Sequence, residues 1–315
     1  MAKKFSIRVS ISILTYNRAE ILRDLLNSLH NIQYSPLDII VVDNHSTDET
    51  ESMVCSEFPK VAYYRMAANK GVGARNVGLS KAAGDIVVTL DDDIIGLDDI
   101  GIESLIGLFD KHQDIGAICF KVVDYYTDQI CNWSHHYKVE EFSNRQFVTD
   151  EISEGAVAFR RSVLAKSGLY PDDFFISYEG ADLLCRMLDA GYKTIYSPEV
   201  VVHHRHAQQG RPNWRRYYYD TRNQIWFVAR NYPVLMGLKY LFRGLTAMFF
   251  YSMRDGFLRY WIKGVWHGVR LLPGVLADRK CITKETVMTL RQISTNRPSL
   301  FYMIRKRFFQ RGVKI

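Results

Sequence analysis

Apolar and polar residues alternate near the start of the chain: Val9, Ile11 and Ile13 against Ser10 and Ser12. That period of two predicts a strand. In the following stretch, "TYNRAEILRDLLNSL", Ile21, Leu22, Leu25, Leu26 and Leu29 form a helical stripe, and Asn17 followed by Glu20 resembles a capping box. "LDIIVVD" barely alternates and predicts a strand buried on both faces. "NHSTDET" supplies turn and cap residues before a second helix, and "VAYYR" predicts a short third strand. "NKGVGARNVGLSKAAG" predicts a loop running into a helix that stops at Gly84, and "DIVVTL" predicts a fourth strand. This strand–helix rhythm is that of βαβ units on a parallel sheet.

Residues 124–150 are polar, aromatic and irregular, and predict a loop insertion over the sheet. Residues 153–204 return to mixed α/β patterns, and from about Arg211 only helical patterns and charge remain. A boundary near 205–232 divides a catalytic domain, 1–210, from a basic amphipathic helical region, 211–315. No internal repeat appears. The opening "MAKKFSIRVSISIL" lacks a continuous apolar core and reads as a strand, not a signal peptide. A membrane span needs about 18 or more apolar residues. The nearest candidate, Val234 to Tyr251, is interrupted by Lys239 and Arg243.

Charge divides the chain unevenly. Residues 1–200 hold 19 Lys and Arg against 30 Asp and Glu, whereas residues 201–315 hold 22 against 4. A segment at +18 following one at −11 suggests an anionic partner for the second part, either nucleic acid or an acidic membrane surface. Five scattered cysteines without a CxxC fit a reduced, cytosolic setting and argue against a zinc site.

"GDIVVTLDDDIIG" ends an apolar run in Asp91, Asp92 and Asp93. One Asp would cap a helix, but three repel one another, and unpaired charge is costly in apolar company. In open α/β sheets ligands bind outside the carboxyl ends of strands. The first, second and fourth strands end in Thr15 and Asn17, Asp43 and Asn44, and the Asp triplet. A divalent cation such as Mg²⁺ or Mn²⁺, held by Asp91 and Asp93 together with a substrate diphosphate, resolves the repulsion.

At these residues a resemblance emerges. "SILTYNR", "IIVVDNHSTDET", "NKGVGARNVGLSKAAGDIVVTLDDDI" and "YEGADLLCRMLDAGYKTIYSPEVVVHH" resemble, in order, the family 2 inverting glycosyltransferases of the bacterial and archaeal cell-surface glycan type. The resemblance covers roughly residues 8–205. It implies the α/β GT-A fold and a nucleotide-diphosphate sugar donor. By the same resemblance, Thr15, Asn17 and Arg18 match a nucleotide-contacting segment, Asp43 the acid that holds the base, and Arg75 and Asn76 the segment beside the nucleotide. Asp91, Asp92 and Asp93 match the DxD motif, the outer two reaching the metal and the middle one the ribose.

Inversion requires a base for the acceptor hydroxyl, and a positioned carboxylate can serve. The family often places Glu-Asp at a helix start, with a further Asp after it. Here "YEGADLLCR" offers Glu179 and Asp182, with Gly180 where the usual Asp would be. Glu179 is preferred to Asp182; the structural alternative is that both only cap the helix. "SPEVVVHHRH" places His203, His204 and His206 at the end of a strand. In similar family members a His six residues after the Pro joins the metal, which selects His204. His203 would face the other way, because side chains alternate.

"RPNWRRYYYDTRNQIWFVARNYP" is basic and aromatic and could by itself stack on single-stranded nucleic acid. In the resembling family a similar helix borders the active site, making Arg222 and Asn223 structural or acceptor-proximal and removing nucleic acid as a partner. Val234 to Leu272 divides at Asp255–Gly256. Beyond it Arg259, Lys263 and Arg270 share a helix face, with Trp261, Ile262 and Trp266 nearby. That composition suits a helix in an anionic membrane interface, or a hairpin packed on the core. The tail "IRKRFFQRGVK" repeats the theme.

The sequence therefore predicts a metal-assisted hexosyl- or deoxyhexosyltransferase in polysaccharide biosynthesis. Its acceptor would be a glycan or polyprenyl-linked glycan, and its place the inner face of the cell membrane, peripherally. The alternatives are a sugar-phosphate nucleotidyltransferase, whose Gly-rich signature "TYNRAE" lacks, and a non-catalytic nucleotide- or lipid-binding member of the same fold.

Overall fold

The structure is a computed structural model that describes residues 7–205 and 214–295. Its strands are β1 (Val9–Thr15), β2 (Leu37–Asp43), β3 (Ala62–Arg65), β4 (Ile86–Asp91), β5 (Ile94–Ile95), β6 (Ile115–Asp124), β7 (Phe147–Val148), β8 (Ala156–Arg160) and β9 (Lys193–His204). Its helices in the first two thirds are α1 (Ala19–His30), α2 (Thr50–Glu57), α3 (Arg75–Lys81), α4 (Asp99–Lys111), α5 (Val139–Phe142), α6 (Arg161–Ser167) and α7 (Glu179–Asp189). Then follow α8 (Trp214–Asn231), α9 (Val234–Arg254), α10 (Leu258–Arg270), α11 (Leu272–Ala277) and α12 (Lys284–Ser294).

One sheet runs in the order β3-β2-β1-β4-β8-β6-β9-β5, with β7 on β9. The β3-β2-β1-β4 half is parallel. Strand β8 enters antiparallel between β4 and β6, making the sheet mixed. Alternation sets the layers. Val9, Ile11 and Ile13 join Leu22, Leu25, Leu26 and Leu29 of α1 and Ile102 and Leu105 of α4 on one face. Val42, Val87 and Phe159 face the other, against α3, α6, α7 and α8. That second core continues through Ile225 and Trp226 of α8 to Val275 and Leu290.

The strands lie where alternation predicts, with differences at their edges. The beginning of β2 is only half-buried, because β3 beside it is short and exposed. Helix α3 ends at Lys81, before Gly84. Asn17 does not cap α1: it adopts φ +53, and its Oδ1 accepts from Thr47 N–H at 2.7 Å. The 124–150 insertion is largely irregular, but its Trp133, His135 and Phe147 pack ring on ring and against Tyr196 of β9. The division at Asp255–Gly256 falls between α9 and α10. No helix among the described residues is long and apolar enough to cross a membrane. His206 and the tail segment 304–314 lie outside the described residues.

Candidate active site

The registers of the sheet assemble the site. Thr15 pairs with Asp43, and Leu14 with Asp91, so β1, β2 and β4 end together. Ile94 of β5 pairs with His204 of β9, which carries that histidine back to the Asp triplet.

Protein cations hold the three carboxylates apart. Arg18 Nη1 donates to Asp92 Oδ1 at 2.9 Å and Asp93 Oδ2 at 2.8 Å, and Thr15 Oγ1 donates to Asp92 Oδ2 at 2.8 Å. Arg75, itself buried, pairs with Asp91. Burial pushes the Asp92 carboxyl up to about 6 against the pull of Arg18. Burial also acts on Asp93, but His204 and Arg18 together hold it below its usual range. The repulsion that suggests a cation is thus relieved, in the protein itself, by Arg18 and Arg75.

Asp91 has a further neighbour. Its backbone N–H donates to Gly155 O at 3.0 Å, and a Cβ on Gly155 would lie 2.3 Å from Asp91 Oδ2. Only glycine there lets the carboxylate lie against the start of β8. A cavity of about 260 Å³ opens beside it, lined by Asp91, Asn132, Trp133, Ser153, Glu154 and Gly155 among others.

The remaining sequence-predicted residues separate into groups. Asp43 is fully buried; it accepts from Ser46 N–H at 2.8 Å and from Tyr63 Oη at 2.6 Å. Asn76 turns from the Asp triplet to the 170–172 segment, donating to Tyr170 O and Asp172 Oδ1 and accepting from Tyr170 N–H. Asp182 is held by Arg186 at 2.9 Å and Asn231 of α8 at 2.7 Å, and no side chain caps the start of α7. His203 points away from the triplet, 3.6 Å from Asp128, as alternation requires.

Glu179 is 4% exposed, and its Oε2 is buried without a hydrogen-bond partner. Burial, reinforced by the charge of Glu154, raises its carboxyl well above the usual range. The segment before it is shaped by α8. Asn223 Nδ2 faces the carbonyls of Phe174, Ile176 and Ser177 at 2.7–2.9 Å, and Arg222 donates to those of Asp173 and Phe174. Glu154 is the acidic residue that pattern reading misses. Nothing in "ISEGAV" marks it, because its importance comes from what it packs against.

The donor set can be tested against a divalent ion. Among the described residues, no group of three His, Cys, Asp or Glu side chains forms a ready-made metal site. Two partial features fit one. Asp93 Oδ1 is buried and faces His204 Nε2 at 3.3 Å, a wide contact between two good ligand atoms. The side-chain amide of Asn132 lies 2.8 Å from His204 Nδ1 and orients the ring; with the amide turned so that its oxygen accepts from Nδ1–H, Nε2 is left to ligate a metal.

Comparison with known proteins agrees with the resemblance carried by the sequence motifs. The chain belongs to glycosyl transferase family 2, whose family model matches residues 10–168, and it is a glycosyltransferase. It is 25% identical over 230 residues to the O-antigen chain rhamnosyltransferase RfbN of Salmonella typhimurium, covering 68% of this chain and 71% of that protein. Among solved structures it is similar to S. aureus TarS (residues 1–349) in complex with UDP-GlcNAc. There the TM-score is 0.60 at 17% identity, over 87% of this chain and 84% of that one. It is also similar to the mannosyltransferase PcManGT of Pyrobaculum calidifontis in complex with GDP-Man and Mn²⁺. There the TM-score is 0.54 at 19% identity, over 96% of this chain and 80% of that one. These likenesses establish the GT-A fold that the sequence motifs predict.

Proposed function

We propose that the protein is an inverting, metal-assisted transferase that moves a hexose or deoxyhexose from a nucleotide-diphosphate donor to a hydroxyl of a surface-glycan acceptor. The observation that carries this reading is the convergence of Thr15, Arg18, Asp91, Asp92, Asp93 and His204 at the carboxyl ends of the sheet. A nucleotide diphosphate is the ligand that the neighbours' complexes contain.

Asp91, Asp93 and His204 would hold Mg²⁺ or Mn²⁺. Bound there, the cation would offset charge on the departing diphosphate. Thr15, Arg18 and Asp92 would contact the nucleotide, with Asp43 on its base side. Asn17, Arg75 and Asn76 would act through the loops and carboxylates they hold. Proton removal falls to a carboxylate beside the start of α7, where Glu179 is the sequence candidate.

The acceptor is read as a growing, polyprenyl-linked glycan at the inner membrane face. Two features support it. The relative RfbN is named for O-antigen chain synthesis. Helices α9 and α10 also expose apolar and basic side chains together. On α10 Ile262, Trp266 and Val269 are exposed beside Arg259, Lys263 and Arg270, while the buried Gly264 and Gly268 sit on its other side and Trp226 of α8 donates to Gly268 O. On α9 Leu235, Leu238 and Phe242 are exposed beside Lys239 and Arg243. The hairpin therefore packs on the core and still presents a face suited to an anionic interface.

A transfer assay tests the reading. Wild-type protein is incubated with UDP-, dTDP- or GDP-sugars, Mn²⁺ or EDTA, and membrane-extracted polyprenyl-linked glycans. Nucleoside diphosphate release that needs both metal and acceptor, with inverted anomeric configuration in the product, is expected. Retained configuration would contradict it.

A further inference from the structure

Helix α7 opens with an acid at 179 and a glycine at 180. The space beside Gly180 is filled. A Cβ on Gly180 would lie 2.1 Å from Glu154 Oε1 and 3.0 Å from its Cδ. The carboxyl group of Glu154, which enters from the segment before β8, therefore sits where a side chain at 180 would begin. The start of α7 thus faces this carboxyl, and the amide end of a helix favours negative charge.

Exposure separates the two acids. Glu154 is partly exposed and lines the cavity that also contains Asp91. Glu179 is buried, with an unpartnered Oε2. A general base must come within hydrogen-bond reach of the proton it removes. From the cavity wall Glu154 is placed to meet that condition, and the buried Glu179 is not.

We propose that Glu154, rather than Glu179, takes the proton from the acceptor hydroxyl, supplying from the β8 side the carboxylate that position 180 lacks. This rests on the reading of the chain as an inverting transferase acting beside Asp91–Asp93. The hydroxyl oxygen forms its bond to the anomeric carbon. The bond from that carbon to the diphosphate oxygen breaks, and its electron pair leaves with the diphosphate. The hydroxyl proton passes to the Glu154 carboxylate. Glu179 is a positioning residue: its carboxyl is buried away from the cavity, whereas Glu154 lines the cavity wall beside Asp91. Gly180 is then a requirement of the design, since any side chain there displaces Glu154.

The test compares Glu154→Gln, Glu179→Gln, Glu154→Ala and the double variant Glu154→Ala/Gly180→Asp. Each is assayed for transfer, for folding by thermal denaturation, and for the stabilisation given by the nucleoside diphosphate with Mn²⁺. Glu154→Gln should lower kcat by about 10²- to 10⁴-fold with the nucleotide-induced shift intact, as expected for loss of a general base. Glu179→Gln should lower kcat by less than about tenfold, because an amide of nearly the same size keeps the buried packing. The double variant should exceed Glu154→Ala, since the new Asp restores a carboxylate at the same place. Near-normal turnover of Glu154→Gln would overturn the proposal, as would a large loss confined to Glu179→Gln. A double variant no more active than Glu154→Ala would overturn the equivalence of the two positions. A wild-type protein that transfers no sugar is a separate failure, that of the transferase reading, and shows before any variant is compared.

Discussion

One nitrogen of Arg18 bridges two adjacent carboxylates: Nη1 donates to Asp92 Oδ1 at 2.9 Å and to Asp93 Oδ2 at 2.8 Å. Both acids are buried, and Asp92 also leans on Thr15. Breaking a buried ion pair by removing one partner costs about 3–5 kcal/mol, because the other is left uncompensated. Arg18→Ala should therefore lower the unfolding midpoint clearly in denaturant titrations. Adding Asp92→Asn should recover at least half of the loss, because one of the two facing charges is then gone. An Arg18→Ala midpoint equal to wild type would contradict this balance of charge.

Asn223 should matter to turnover without touching substrate. Its amide satisfies buried carbonyls of the 174–177 segment, in which Phe175 and Ser177 adopt positive φ, as does Tyr178 just before Glu179. An unsatisfied buried acceptor costs about 1–3 kcal/mol. Asn223→Ala should lose stability in that range and lose transfer activity, with nucleotide binding unchanged. Normal turnover would show that this segment does not set the position of α7.

His135 gives the insertion a pH dependence. The ring sits among Trp133, Phe147 and Tyr196, with Nδ1 2.8 Å from Thr149 Oγ1. Burial pushes its pKa down to about 3. The unfolded chain titrates near 6.5, so it binds the proton more readily than the native state. Stability from this group is complete above pH 6.5 and is lost as pH falls toward 3, by about 1.4 kcal/mol per unit. His135→Leu should flatten the fall in unfolding free energy between pH 6.5 and 4. Identical slopes for variant and wild type would remove the effect.

Membrane contact through α9 and α10 predicts a charge-dependent partition. Wild-type protein should sediment with phosphatidylserine vesicles and not with phosphatidylcholine vesicles, and salt should release it. Burying Ile262 and Trp266 contributes roughly 1.5–3 kcal/mol each. Ile262→Ser/Trp266→Ser should therefore weaken binding at least about tenfold. Equal sedimentation of the double variant would place the contact elsewhere.

Much of the fold is legible because strands advertise themselves by local pattern. Val9 to Ile13, Leu37 to Asp43 and Ile86 to Leu90 are strands by alternation or continuous burial, and the polar residues at their ends follow. What is not legible depends on distant packing. Asn17 has the spacing of a cap, but its backbone turns left-handed and its side chain joins Thr47 instead. The Asp triplet implies a compensating cation, and the pattern cannot show that Arg18 and Arg75 already provide two. Glu154 is silent in sequence because its neighbour in space, Gly180, is 26 positions away. The gap at Gly180 is visible in the motif, whereas the group that fills it is not.

The central claim is that Asp93 and His204, with Asp91, bind a metal-bound nucleotide diphosphate. It is tested most directly by thermal denaturation with UDP, dTDP and GDP, each with and without Mn²⁺, on wild type, Asp93→Ala and His204→Ala. A ligand that binds only the native state raises the midpoint by mass action. The expected result is a rise with one nucleotide that needs Mn²⁺ in the wild type, is lost in Asp93→Ala and is reduced in His204→Ala. A rise of equal size in all three proteins, or no rise with any nucleotide, would contradict it.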